Sequence, residues 1–117
     1  MKLQELVKAL ALTELTPVAA GEGEADVTQG YASDLLSDVL AHAPSGGVLV
    51  TLQVHLNVIA VASHAGLRAV IFSSRRAPED DIISKAVDEG LSLYVSPADT
   101  FDIVGRLYQL GVRGRTA

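Results

Sequence analysis

Residues 47–111, GVLVTLQVHLNVIAVASHAGLRAVIFSSRRAPEDDIISKAVDEGLSLYVSPADTFDIVGRLYQLG, carry one pattern three times over. An apolar run of strand length (47–51, GVLVT; 68–73, RAVIFS; 91–95, LSLYV) is followed each time by a helical stretch. Apolar runs without polar alternation suit strands covered on both faces, as in parallel sheets. The first helical stretch (55–65, HLNVIAVASHA) is apolar almost all round, which predicts a largely buried helix close to the sheet, with Gly66 as its stop. The second opens on Pro78, Glu79, Asp80 and Asp81, a proline and acids that favour the first turn of a helix. It turns Ile82, Ile83, Ala86 and Val87 to the core and stops at Gly90. The third has Ser96, Pro97 and Asp99 as alternative caps, carries Phe101, Ile103, Val104, Leu107 and Tyr108, and ends at Gly111. Three strand-then-helix units in a row require right-handed crossovers. The expected fold is α/β, a mainly parallel sheet with helices packed on both faces.

Working outward, residues 2–10 place Leu3, Leu6, Val7 and Leu10 at helical spacing, and residues 11–16 can follow as a short strand closed by Pro17. The glycine-and-charge stretch 21–25 reads as an exposed turn. Residues 26–31 (DVTQGY) read as a second short strand ending at Gly30. A helix is expected over 33–43, capped by Ser33, with Leu35, Leu36, Val39 and Leu40 inward, and Pro44, Gly46 and Gly47 end it. The basic run 112–117 is expected to fray. At 117 residues and 49% hydrophobic content the chain fills one core but hardly two, so residues 1–117 read as a single domain.

Composition narrows the function. A formal net charge of −5 argues against a nucleic-acid partner, which needs a basic face to release counterions. With no cysteine there is no disulfide, thiolate metal site or cysteine nucleophile. The most apolar stretch, 48–61, is interrupted by Thr51, Gln53, His55 and Asn57 and is too short to span a bilayer. No signal-like segment opens the sequence, and a soluble cytoplasmic protein is expected.

Ligands of parallel sheets sit beyond the carboxyl ends of the strands, where helix N-termini point free amides. The sequence puts polar residues there repeatedly: Gly30 and Tyr31; Thr51, Gln53, His55 and Asn57; Ser73, Ser74, Arg75 and Arg76; Ser96, Asp99 and Thr100. They are expected to converge on one edge. Arg75 and Arg76 follow a buried strand, where they could hold a phosphate or carboxylate; the simpler reading is a solvated pair bridged to Glu79 and Asp80. Ser96 and Asp99 read equally as helix caps. Gln53, His55 and Asn57 alternate and could share one side of a loop for a polar ligand, or serve only local backbone groups. His42, His55 and His64 lack metal-ligand spacing, so no metal and no cofactor is expected. Neither a GxSxG elbow nor a GxxxxGK[ST] loop is present.

The order of these parts resembles a known family. Residues 48–111 look like the DRTGG domain, and the second half is similar to the N-terminal domain of HPr kinase/phosphorylase. GYASDLLSDVLAHA (30–43) looks like the standalone members, so the resemblance covers about residues 28–111. Its most telling stretch runs from strand AVIFS through a polar turn, Pro78, an acidic helix, Gly90 and strand LSLYVS to Thr100 and the helix ending GRLYQLG. The string DRTGG itself does not occur, and Ser73, Ser74, Arg75 and Arg76 stand where relatives tend to have a glycine-containing turn. The family occurs beside CBS domains in some pyrophosphatases and within phosphate acetyltransferases. The resemblance therefore implies a non-catalytic accessory module without kinase machinery, whose fold is like that of the HPr kinase N-terminal domain.

The expected function is regulatory or ligand-sensing, with a nucleotide or phosphorylated small molecule at the strand ends and a homo-oligomer, a dimer above all, or a partner enzyme as the context. A ligand-free interaction scaffold is one alternative. A small enzyme using His55 with Arg75 or Arg76 is another.

Overall fold

The computed structural model describes residues 1–17 and 21–115. In chain order the elements are α1 (Leu3–Ala9), β1 (Thr13–Glu14), a 3-10 turn (Glu22–Glu24), β2 (Gly30–Ala32), α2 (Leu36–His42), β3 (Val48–Thr51), α3 (Asn57–His64), β4 (Ala69–Phe72), α4 (Asp80–Asp88), β5 (Ser92–Val95) and α5 (Thr100–Gln109). One five-stranded sheet runs β1-β5-β4-β3-β2. β2, β3, β4 and β5 are parallel, and β1 joins β5 antiparallel with Thr13 opposite Val95.

The three buried strands place their side chains alternately into two cores, as the period of two demands. Val48, Val50, Ala69, Ile71 and Tyr94 pack with Leu3 and Leu6 of α1 and with Ile103 and Leu107 of α5. On the other face Leu49, Val70, Phe72 and Leu93 meet Val39 of α2, Val58, Ile59 and Ala62 of α3, and Ile82 and Ala86 of α4. The α/β reading of the sequence is the observed architecture, with helices on both faces.

Several boundaries differ for identifiable reasons. Residues 26–29 do not extend β2 in the expected way, because the N-terminus takes up the backbone groups of residues 25–27 and Thr28 O accepts from Arg113 N. Val27 N donates to Met1 O at 2.7 Å, and Leu3 N to Ala25 O at 2.8 Å. Gly30 therefore opens β2 instead of ending it. The helix expected from Ser33 starts at Leu36, since Ser33 N still donates to Val50 O on the β3 ladder. The Ser33 hydroxyl accepts from the amide of Leu35 at 3.2 Å and does not cap the helix. Of the four residues expected inward there, Val39 is buried, whereas Leu35 and Leu40 are exposed. Helix α3 is buried on one side only, with Ala60, Ser63 and His64 exposed, and Val87 of α4 also faces out. The start of the 112–117 run is tied down: Val112 is buried, Arg113 N donates to Thr28 O, and Gly30 N donates to Arg113 O. Residues 116–117 lie outside the described residues. Among the described residues no helix is long and apolar enough to cross a membrane.

Candidate functional site

The carboxyl ends of β3, β4 and β5 bring most of the expected polar residues together, and their side chains are largely spent on each other. Thr51 is buried; its hydroxyl donates to Asp34 Oδ1 at 3.0 Å and accepts from Gln53 N at 3.0 Å. Asp34 Oδ1 also accepts from Leu52 N at 2.7 Å. The chain then climbs into α3 by side-chain turns two residues apart: Gln53 Oε1 accepts from His55 N at 3.1 Å, and His55 Nδ1 accepts from Asn57 N at 3.2 Å. Such local bonds compete with helix formation, which is why α3 begins at Asn57 and not at His55. They also require the proton of a neutral His55 ring on Nε2, facing solvent.

The second part of the edge is the loop after β4. Ser73 and Thr100 share a hydroxyl-to-hydroxyl bond of 2.6 Å that fixes the start of α5 to the end of β4. Ser74 Oγ donates to Asp99 Oδ1 at 3.2 Å. Asp99 thus serves the neighbouring loop and makes no side-chain cap to α5, and Ser96 Oγ accepts from Ala98 N instead of capping the helix. The backbone amides of Ser74, Arg75 and Arg76 donate to Ala98 O, Ser96 O and Ser73 O, so the turn is pinned at every residue. With those amides occupied, an anion here would be held by side chains. Arg76 Nε donates to Leu52 O at 2.8 Å, which stitches the two halves of the edge together. Both arginines are exposed, and among the described residues neither forms the expected ion pair with Glu79 or Asp80.

Ser74 and Arg75 have φ of 56° and 61°. Left-handed backbone at two successive non-glycine residues is costly, and glycine adopts it freely. The backbone therefore takes the shape of a glycine turn at the place where the resembling family tends to have one. Arg75→Gly is expected to stabilise the fold by about 1 kcal/mol, raising the melting midpoint by about 4 °C. An unchanged or lower midpoint would count against the strain.

Two of the expected site residues lie elsewhere. Gly30 pairs with Val48 at the amino end of β3, and Tyr31 with Leu49 in mid-strand. The Tyr31 hydroxyl donates to Asp38 Oδ2 at 2.8 Å, and His42 Nδ1 lies 3.0 Å from Asp38 Oδ1. The bond from Tyr31, then that from His42, holds the Asp38 carboxyl below its ordinary value, and the bond to Asp38 raises the Tyr31 phenol. Gly30 and Tyr31 instead line a cavity of about 320 Å³ between β2, α5 and the segment 112–115, with Val50, Val104, Leu107 and Tyr108 among its apolar walls. Arg113 caps it, its guanidinium 3.9 Å from the centroid of the Tyr108 ring.

Sequence reasoning passed over Asp34, although an acid directly after a short strand is placed to receive hydroxyl and amide donors from the next strand end. It also passed over the cavity, which needs the return of residues 112–113 to β2. Among the described residues no three histidine, aspartate or glutamate side chains cluster to hold a metal.

No family model and no curated protein matches the chain. Among solved structures it is similar to the CBS and DRTGG domains of the regulatory region of Clostridium perfringens pyrophosphatase, a structure complexed with the activator diadenosine tetraphosphate. The TM-score is 0.70 over 92% of this chain, at 14% sequence identity. The chain spans 46% of the length of that structure. At this identity the likeness speaks to architecture alone, and it supports a DRTGG-like α/β fold for this chain.

Proposed function

We propose that this chain is a non-catalytic regulatory module that senses a phosphorylated or nucleotide-like small molecule at the carboxyl edge of its sheet, and that it works as a homodimer or beside a partner enzyme. The observation that carries the reading is the pair Arg75 and Arg76. They stand exposed on a turn fixed at every backbone amide, without an acidic partner from the helix that follows. A guanidinium carried on a fixed backbone, with no ion-pair partner among the described residues, is suited to phosphate oxygens because its planar fork matches them bidentately. His55, exposed on the adjoining loop, supplies a further polar contact. The similar structure, of CBS and DRTGG domains together, is complexed with an activator nucleotide, which supports the choice of ligand class.

A thermal-shift panel of nucleotides and phosphorylated metabolites tests this. A ligand at 100 times its dissociation constant is expected to stabilise by about 2.7 kcal/mol. The shift should vanish in an Arg75→Ala/Arg76→Ala variant and shrink in His55→Ala. A flat panel, or a shift untouched by the arginine variant, would sink the reading and favour a ligand-free interaction scaffold.

A further inference from the structure

Helix α5 carries an apolar face that none of the described residues covers. Phe101 is 87% exposed and Tyr108 57%, with Val104 between them. These residues recur at i, i+3 and i+7, so they form one stripe. Gly105 lies on the same stripe at i+4, inside the helix, and a Cβ built on it would meet nothing within 4 Å. Glycine is the poorest helix former after proline, and packing among the described residues gives no reason for it here. Thr100, Phe101, Val104, Gly105 and Tyr108 surround a dent above that glycine, and beyond Tyr108 the stripe runs into the 320 Å³ cavity.

We propose that this face is a two-fold interface between copies of the chain. α5 packs antiparallel on its counterpart about an axis close to Gly105, and each Phe101 ring is seated against the partner's Tyr108 and the mouth of the cavity. The proposal rests on the self-association in the functional reading above and specifies its surface. The stripe is complementary to itself. Its projecting ring and its receiving cavity lie on opposite sides of Gly105, about 10.5 Å apart along the helix for Phe101 and Tyr108, so a two-fold operation brings each to the other. The missing side chain at Gly105 lets the helix backbones approach where they cross. Charge agrees with the same operation: Asp99 and Asp102 lie at the amino end of α5, Arg113 and Arg115 follow its carboxyl end, and only an antiparallel copy sets acids against arginines. Isologous packing of this kind is the commonest form of homo-oligomer.

The chain has no cysteine, so a single one reports contacts cleanly. In sedimentation at about 10 µM, a concentration that populates micromolar dimers, the wild type is expected to be dimeric. Phe101→Glu should weaken the dimer by at least about 30-fold, as loss of a central aromatic anchor does, with an unchanged circular dichroism spectrum. Under mild oxidation Gly105→Cys should cross-link to its own copy, whereas Ser84→Cys, on the exposed side of α4, should not. A wild type that stays monomeric at several hundred micromolar overturns both the interface and the self-association it rests on. A dimer that survives Phe101→Glu, or that cross-links no faster through residue 105 than through residue 84, overturns this interface and leaves self-association standing.

Discussion

Phe72→Ala is expected to cost about 3–5 kcal/mol, the range for truncating a fully buried phenylalanine. That would lower the melting midpoint by roughly 12–20 °C at about 4 °C per kcal/mol. Phe72 is completely buried at the carboxyl end of β4, between Thr51 of β3 and Val95 of β5, in the core shared with α2, α3 and α4. The neighbours that would have to close the cavity are themselves short-tethered: Ile59 and Ala62 sit in α3, and Leu49 and Leu93 are in adjacent strands. Collapse is therefore limited, and the cost should fall toward the upper part of the range. The carbonyl of Phe72 also receives Ser96 N at 2.9 Å, and Ser73 N is bonded to Thr51 O, so loosening this residue loosens the edge that holds Arg75 and Arg76. Urea titration checks the prediction through a reduced midpoint with an unchanged slope. Phe101→Ala, titrated at a concentration dilute enough to keep the chain monomeric, is the control, because its ring adds nothing to the monomer's core, and a stability change within about 0.5 kcal/mol is expected. Similar losses for the two phenylalanines would mean that Phe72 is not the packing centre described.

The contrast between these two rings also shows what the sequence could and could not convey. The three strand-then-helix units were legible because β3 and β4 are buried at every residue, and a short continuous apolar run bounded by turn residues is the mark of a strand covered on both faces. Stops at Gly66 and Gly90 were legible because both residues take φ near +70°, where side chains are disfavoured. The outer face of α5 was not. Phe101, Ile103, Val104, Leu107 and Tyr108 are all apolar, and only the packing separates the buried Ile103 and Leu107 from the rest. Long-range pairing hid the remainder. Residues 25–27 bond to the N-terminus, and residue 113 returns to β2, and neither partner is local. At the candidate site, residue types were legible and their use was not: the hydroxyls and the Asp99 carboxylate, expected as helix caps or ligand contacts, mostly bond to adjacent loops, which leaves the arginines as the exposed chemistry.

Gly47→Ala should be the most damaging of the single-methyl additions at the glycines. A Cβ at residue 47 would stand 2.9 Å from the carbonyl oxygens of both Gln29 and Pro44, and backbone atoms cannot rotate away as a flexible side chain can. One of the two segments must move. Pro44 O accepts from Gly47 N at 3.0 Å, so shifting it opens the turn into β3; Gln29 O accepts from Val48 N at 3.1 Å, so shifting it detaches β2. Overpacking of this sort costs about 1–3 kcal/mol, and the loss of a buried strand bond would add to it. The consequences reach the cavity, because Gln29 also bridges to Arg113 on its outer side. The neighbouring Gly46→Ala separates this clash from a purely conformational effect: Gly46 has φ of 79° with open space around it, and about 1 kcal/mol is expected there. Hydrogen exchange should then show faster opening of Gly30 N and Val48 N in Gly47→Ala and not in Gly46→Ala. Equal losses in the two variants would mean that β2 and β3 have room to adjust, and that the close approach of Gln29 and Pro44 to Gly47 does not set the position of the edge strand.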